Sequence, residues 1–147
     1  MSHVVSLEIE IKDLDALFQA AQNLGMEVKL NQKTYRWFGK HVGDYPIPEG
    51  FTKADMGKCD HVLSVLGVPG AYEVGVCQRG SGYKLLFDFW GSHGKALEHC
   101  IGAKGQKLVQ TYAETVALRK LKKLQRQGYR LKKTTTAKGE IKLTLTK

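Results

Sequence analysis

The 147-residue chain is poor in cysteine, poor in proline and free of long apolar runs. Three cysteines, Cys59, Cys77 and Cys100, are too few and too scattered for a disulfide scaffold, so a reducing compartment and a cytoplasmic setting are expected. No stretch approaches the roughly 20 apolar residues that cross a bilayer, and Met1-Ser2-His3 leads straight into an alternating pattern. A membrane span and a secretory leader are therefore not expected. Acidic residues are also missing from one region: none falls between Thr115 and Gly139. Residues 1–106 carry 11 Lys/Arg against 12 Asp/Glu, whereas residues 107–147 carry 12 against 2. All of the net charge of +9 is thus C-terminal.

What is present reads as one domain, 1–147, of α+β class. Val5, Leu7, Ile9 and Ile11 alternate with polar residues as in a strand with one apolar face. Asp13 then offers an N-cap, Leu14, Leu17, Phe18, Ala21 and Leu24 recur at helical spacing, and Gly25 stands where a C-terminal cap belongs. Met26, Val28 and Leu30 restart the alternation, which continues through Tyr35 and Trp37 after an interruption near Asn31. Gly39 to Gly57 holds two of the three prolines and reads as a loop or insertion over about 39–58. His61 to Val68 is a short strand or a helical turn, with no periodicity to decide between them. Tyr72–Cys77 and Tyr83–Trp90 flank Arg79-Gly80-Ser81-Gly82 and predict a hairpin. A short helix with loops is expected between Gly91 and Gly105. A long helix follows from about Gln106 to Gln127, with Val109, Tyr112, Ala113, Val116, Leu121 and Leu124 as an imperfect stripe and Gly128 as its stop. Residues 129–135 and 140–146 close the chain as a second hairpin. The expected architecture is a two-layer sandwich: a mostly antiparallel sheet with two main helices on one face.

Several of these segments together resemble a known family. Met1-Ser2-His3, Tyr72-Glu73-Val74-Gly75-Val76, Gly80-Ser81-Gly82-Tyr83, Asp88-Phe89-Trp90-Gly91 and Leu108-Val109-Gln110-Thr111-Tyr112-Ala113, with Gly128 and a closing hairpin, are similar to a small family of unknown function. It includes the hypothetical chloroplast reading frame thirty-five, with relatives in cyanobacteria and in tailed bacteriophages. The longer stretch from about Lys40 to Cys59 is more like the bacteriophage-type members. The resemblance implies a compact α+β domain and carries over no activity.

Candidate chemistry is sparse. Cys59-Asp60-His61, His93 and His99-Cys100 contain metal-ligand types, but their spacing matches no zinc motif, and no metal or other cofactor is expected. Gly102-Ala103-Lys104-Gly105 precedes the long helix, so Lys104 and Lys107 are candidates for a phosphate site, although the order of a Walker motif is absent. Tyr35, Arg36, Trp37 and Lys40 interleave rings and cations as a base-stacking surface would. His3 falls on the inward parity of the first strand, where an imidazole needs a partner such as Asp88 or Tyr83, and is a further ligand-contact candidate. Parity sets Asp88 on the face opposite Phe87 and Phe89, where solvation is the simple expectation.

The one-signed block Arg119, Lys120, Lys122, Lys123, Arg126, Arg130, Lys132 and Lys133 is the candidate nucleic-acid surface. The leading expectation is a non-enzymatic binder of a phosphate-bearing ligand, nucleic acid or nucleotide, through the basic helix and hairpin of residues 106–147. An alternative is a phage-type effector that binds a host protein or sequesters a signalling nucleotide. An enzyme built on His3 and Asp88, or on Cys100, ranks below both. Edge pairing into a homo-oligomer is a further expectation.

Overall fold

The computed structural model describes residues 4–7, 9–41, 43 and 45–147. Five strands form one antiparallel sheet: β1 (Val4–Ser6), β2 (Met26–Lys29), β3 (His61–Val65), β4 (Val74–Arg79) and β5 (Gly82–Asp88), in the order β1-β5-β4-β3-β2. Three helices, α1 (Leu14–Asn23), α2 (Gly91–Ile101) and α3 (Gln106–Arg126), and a separate hairpin, β6 (Arg130–Thr135) with β7 (Ile141–Thr146), complete the α+β fold.

Local chemistry explains most of these boundaries. The Asp13 carboxylate accepts from the Ala16 N–H at 3.0 Å to start α1, and Gly25, at φ +80°, takes the chain out of it. β4 and β5 pair with Arg79 opposite Gly82, leaving Gly80-Ser81 as a two-residue turn with Gly80 at positive φ. His61–Val65 is a strand, since its neighbours β2 and β4 pair with it on both sides. β1 is shorter than its alternation suggests. The ladder runs from Val4↔Asp88 to Ser6↔Leu86, and Ile11 pairs with Tyr83 two residues out of that register.

The helices pack on one sheet face. Leu63, Val74, Val76, Leu85 and Phe87 point toward Leu17, Ala20 and Ala21 of α1, Leu97 and Ile101 of α2, and Leu108 and Tyr112 of α3. The Tyr112 hydroxyl accepts from the Lys12 and Asp13 N–H groups at 3.2 and 3.1 Å, tying α3 to the start of α1.

The opposite face is covered too, by the excursion between β2 and β3. Asn31, at φ +61°, turns the chain off the sheet edge, and its N–H donates to His61 Nδ1 at 3.0 Å. The stretch through Tyr35 and Trp37 is therefore not a further strand of the sheet; it makes one isolated bridge, Thr34↔Lys58. Tyr35, Phe51 and Met56 pack over Val62, Cys77 and Leu86 in a second core. Gly75 makes room for the Tyr35 ring: a Cβ there would lie 2.4 Å from Tyr35 Cδ1. This cover corrects the expectation for Asp88. It does lie opposite Phe87, yet it is fully buried, accepting from the N–H groups of Trp90 at 2.9 Å and Phe38 at 3.3 Å.

A stability prediction arises at Tyr35. Its hydroxyl is buried and its O–H finds no acceptor among the described residues, and burial pushes its pKa well above the ordinary phenol value, offset in part by the Gly57 backbone. A buried donor left unmade costs about 1–3 kcal/mol. Tyr35→Phe removes that cost and keeps the ring, so the unfolding free energy is expected to rise by about 1 kcal/mol, read as a higher denaturant midpoint at constant m. A loss of stability would mean that the hydroxyl has a partner.

Candidate nucleic-acid interface

α3 is built from one stripe with two chemistries. From Leu108, steps of four and three residues reach Tyr112, Thr115, Arg119, Lys122 and Arg126 in turn, all on one helix face. The first three are buried against the body; the last three are exposed. Beyond Arg119, whose guanidinium still reaches α1, the helix leaves its packing, because burying unpaired Lys or Arg would cost several kcal/mol each. Residues 120–126 then run on for about 10 Å at 1.5 Å per residue. The single apolar stripe expected from Val109 to Leu124 is thus really two. Ala113 is exposed, while Leu121 and Leu124 are half-buried on the other side of the helix, near which the hairpin begins with a Tyr129 N–H bond to the Leu124 carbonyl at 3.0 Å.

The hairpin stands apart from the five-stranded sheet. Its register pairs Arg130 with Thr146, Lys132 with Thr144 and Thr134 with Lys142. Residues directly opposite share a face, so Arg130, Lys132 and Lys142 lie among three threonines on one side of a two-stranded ribbon. Lys142 is not among the cations that the sequence block singles out; counting back from the turn at residues 136–140 finds it.

Of the eight cations expected to form the interface, Arg119 is engaged within the fold. Its guanidinium lies 2.9 Å from Gln19 Oε1 and 3.5 Å from Asp13 Oδ1. Lys120, Lys122, Lys123, Arg126, Arg130, Lys132 and Lys133 are exposed, and none of the seven pairs with a carboxylate among the described residues.

The other expected contacts are dispersed. Tyr35 is a core residue and offers no ring face, which corrects its place in a stacking surface. Arg36 Nη1 donates to the Ala71 carbonyl at 3.1 Å, and its backbone is clamped to Glu73, whose carboxylate accepts from the Arg36 N–H at 2.8 Å. Trp37 is half-buried with its indole nitrogen against Gly57, so of the interleaved set Lys40 is the one that is exposed and makes no side-chain bond among the described residues. His3 lies outside the described residues.

Lys104 and Lys107 are exposed at the joint between α2 and α3. Lys104 sits at φ +56° between Gly102 and Gly105, both also at positive φ, and α3 begins there without a side-chain cap. Lys104 edges a cleft of about 1000 Å³ whose walls include Val5, Leu7, Phe87, Phe89 and Val109. With Tyr45 these residues come from four separate segments, which is why no sequence signal points to the cleft.

The nucleophile and metal candidates are individually committed. Cys59 donates to the Gln32 carbonyl, Cys77 to that of Lys58 and Cys100 to that of Leu24. Burial pushes the Cys59 and Cys77 thiols up to about 12 and raises Cys100, the opposite of an activated thiolate. Asp60 accepts from the Gln78 N–H at 2.7 Å, and His61 is held by Asn31. No three of His, Cys, Asp and Glu gather as a metal site among the described residues. No helix among them is long and apolar enough to cross a membrane.

Neither family models, nor curated proteins, nor solved structures yield a match to this chain.

Proposed function

We propose that this chain is a non-enzymatic nucleic-acid-binding protein of the bacteriophage-type family it resembles, holding its ligand through the outer half of α3 and the β6–β7 ribbon. The observation that supports this reading most is the change along the α3 stripe. A helix that needed only to fold would end, or mix its charges, where Thr115 gives way to Arg119. Instead seven exposed cations continue from it into an isolated hairpin, and none of them forms an ion pair with a carboxylate among the described residues. An isolated two-stranded hairpin is marginal in water, so the segment gains order from what it binds.

Duplex is favoured over single-stranded ligand. Single-strand binders add several stacking rings to their charge, and here Tyr35 is buried, Trp37 packs against Gly57 and Tyr129, the ring at the foot of the ribbon, is half-buried with Lys147 over it. A two-stranded ribbon fits the major groove, about 12 Å wide, with helix cations on the flanking phosphates.

The test is fluorescence anisotropy at low salt with a mixed-sequence duplex, the matching single strand and a mononucleotide. Duplex is expected to bind at least tenfold more tightly than single strand, with the mononucleotide bound negligibly. Equal or tighter single-strand binding would overturn the duplex assignment, and no binding to either polymer would overturn the reading itself.

A further inference from the structure

The joint between α2 and α3 closes over Leu7 and Phe87, where a Cβ on Gly105 would lie 2.9 Å from Leu7 Cδ2, but leaves Val5 and Ile9 part-exposed at the β1 edge. There a cleft of about 1000 Å³ opens, walled by the half-buried Val5, Phe89 and Val109, with the buried Leu7 and Phe87 at its floor. Apolar surface also continues to its mouth, where Ile9 is 39% and Tyr45 is 40% exposed. Phe89, its ring centroid 4.8 Å from that of the buried Phe87, gives one wall its aromatic face.

The cleft does not end at Ala103 and Gln106. Those two residues and Glu98 also line a shallower basin of about 410 Å³, whose other walls carry Lys95, His99 and Lys107. With Lys104 on the lip, three lysines surround the joint, and Glu98 is the one carboxylate lining either hollow among the described residues. A cleft of this size takes a small organic molecule, and polar groups at one end fix the polarity of what enters. Here the polar end is cationic.

We infer that this cleft binds a small aromatic anion: a flat apolar body against Val5, Phe89 and Val109, with a carboxylate, sulfonate or phosphate held at Lys104 and Lys107. This site is on the body of the protein and does not depend on the C-terminal surface. Glu98, between the two hollows, accepts a hydrogen bond from a hydroxyl or amine of the ligand and disfavours a second anion on its body. The conformation of Lys104 supplies a clean probe. Asn tolerates the left-handed region that Lys104 occupies, so Lys104→Asn removes the charge and leaves the joint intact.

The experiment is a titration of the full chain with anilinonaphthalene sulfonate, an aromatic anion whose fluorescence reports an apolar site, alongside sedimentation to give the oligomeric state. One saturable site per chain is expected. Lys104→Asn with Lys107→Gln is expected to weaken it about tenfold, as for removal of one charge-assisted hydrogen bond. Val109→Trp, which fills the cleft from a half-buried position, is expected to abolish it, with circular dichroism confirming the fold. Ile141→Lys, on the hairpin, is expected to leave it unchanged. Dye binding that survives Val109→Trp, or that Ile141→Lys removes, overturns the proposal. So does affinity indifferent to Lys104 and Lys107, or a dimer that binds no dye because a second copy fills the cleft.

Discussion

Gly94→Ala is expected to destabilise the fold by about 3 kcal/mol, although it places the best helix former in the interior of a helix. Propensity alone predicts a gain of about 1 kcal/mol for this change. Packing reverses the sign. Gly94 is buried in the first turns of α2, where the chain folds back on the end of β5, and a Cβ there would lie 2.2 Å from the Phe89 carbonyl carbon and 2.6 Å from its oxygen. Those atoms are backbone and cannot rotate away. α2 must therefore lift off β5, and with it Leu97 and Ile101, both fully buried in the main core. Urea unfolding followed by circular dichroism measures the loss. Gly128→Ala is the contrast: at φ +94° with nothing within 4 Å of a new Cβ, it meets only the left-handed penalty of about 1–2 kcal/mol. If Gly94→Ala is neutral or stabilising, the strand–helix corner is looser than those two distances imply.

The second large effect is on binding. Replacing Lys122, Lys123, Arg126, Arg130 and Lys132 with Gln is expected to lower duplex affinity by about three orders of magnitude at 50 mM salt. It should also flatten the log–log salt slope by about 4.5, at about 0.9 for each of five phosphates no longer neutralised. All five side chains are exposed and unpaired among the described residues, so folding stability should move by less than about 0.5 kcal/mol per site. Arg119→Gln is the internal control. Its guanidinium is held by Gln19 and Asp13, so it should weaken binding far less than Arg126→Gln while costing some stability at the α1–α3 contact. Equal effects at Arg119 and Arg126 would mean that the boundary between the packed and free parts of the stripe is elsewhere.

Local signals are legible where one residue's own chemistry decides. Asp13 and Gly25 bracket α1, Gly80-Ser81 sets the central hairpin, and the charge split marks the segment that leaves the body. The antiparallel α+β architecture follows from these. What stays hidden depends on partners distant in the chain. Period-two alternation distinguishes two faces but not whether the second is covered, so Asp88 reads as solvated although Tyr35, Phe51 and Met56 close over its side of the sheet. The α3 pattern misleads for a similar reason. Helical periodicity merges residues that serve different neighbours, and it groups Leu121 and Leu124 with Tyr112 although they lie on another side of the helix. The joint at Lys104 is visible through its glycines; the apolar cleft beside it, assembled from four segments, is not.

The central claim is that the α3 extension and ribbon engage phosphates. Its most direct test is the affinity of the unmodified protein for a mixed-sequence duplex between 50 and 200 mM salt. Seven unpaired cations predict a log–log slope of about −6, a fall in affinity of roughly three to four orders of magnitude across that range. A slope shallower than about −2, or binding that is tight and indifferent to salt, would contradict that claim and leave the basic stripe as a solvated surface.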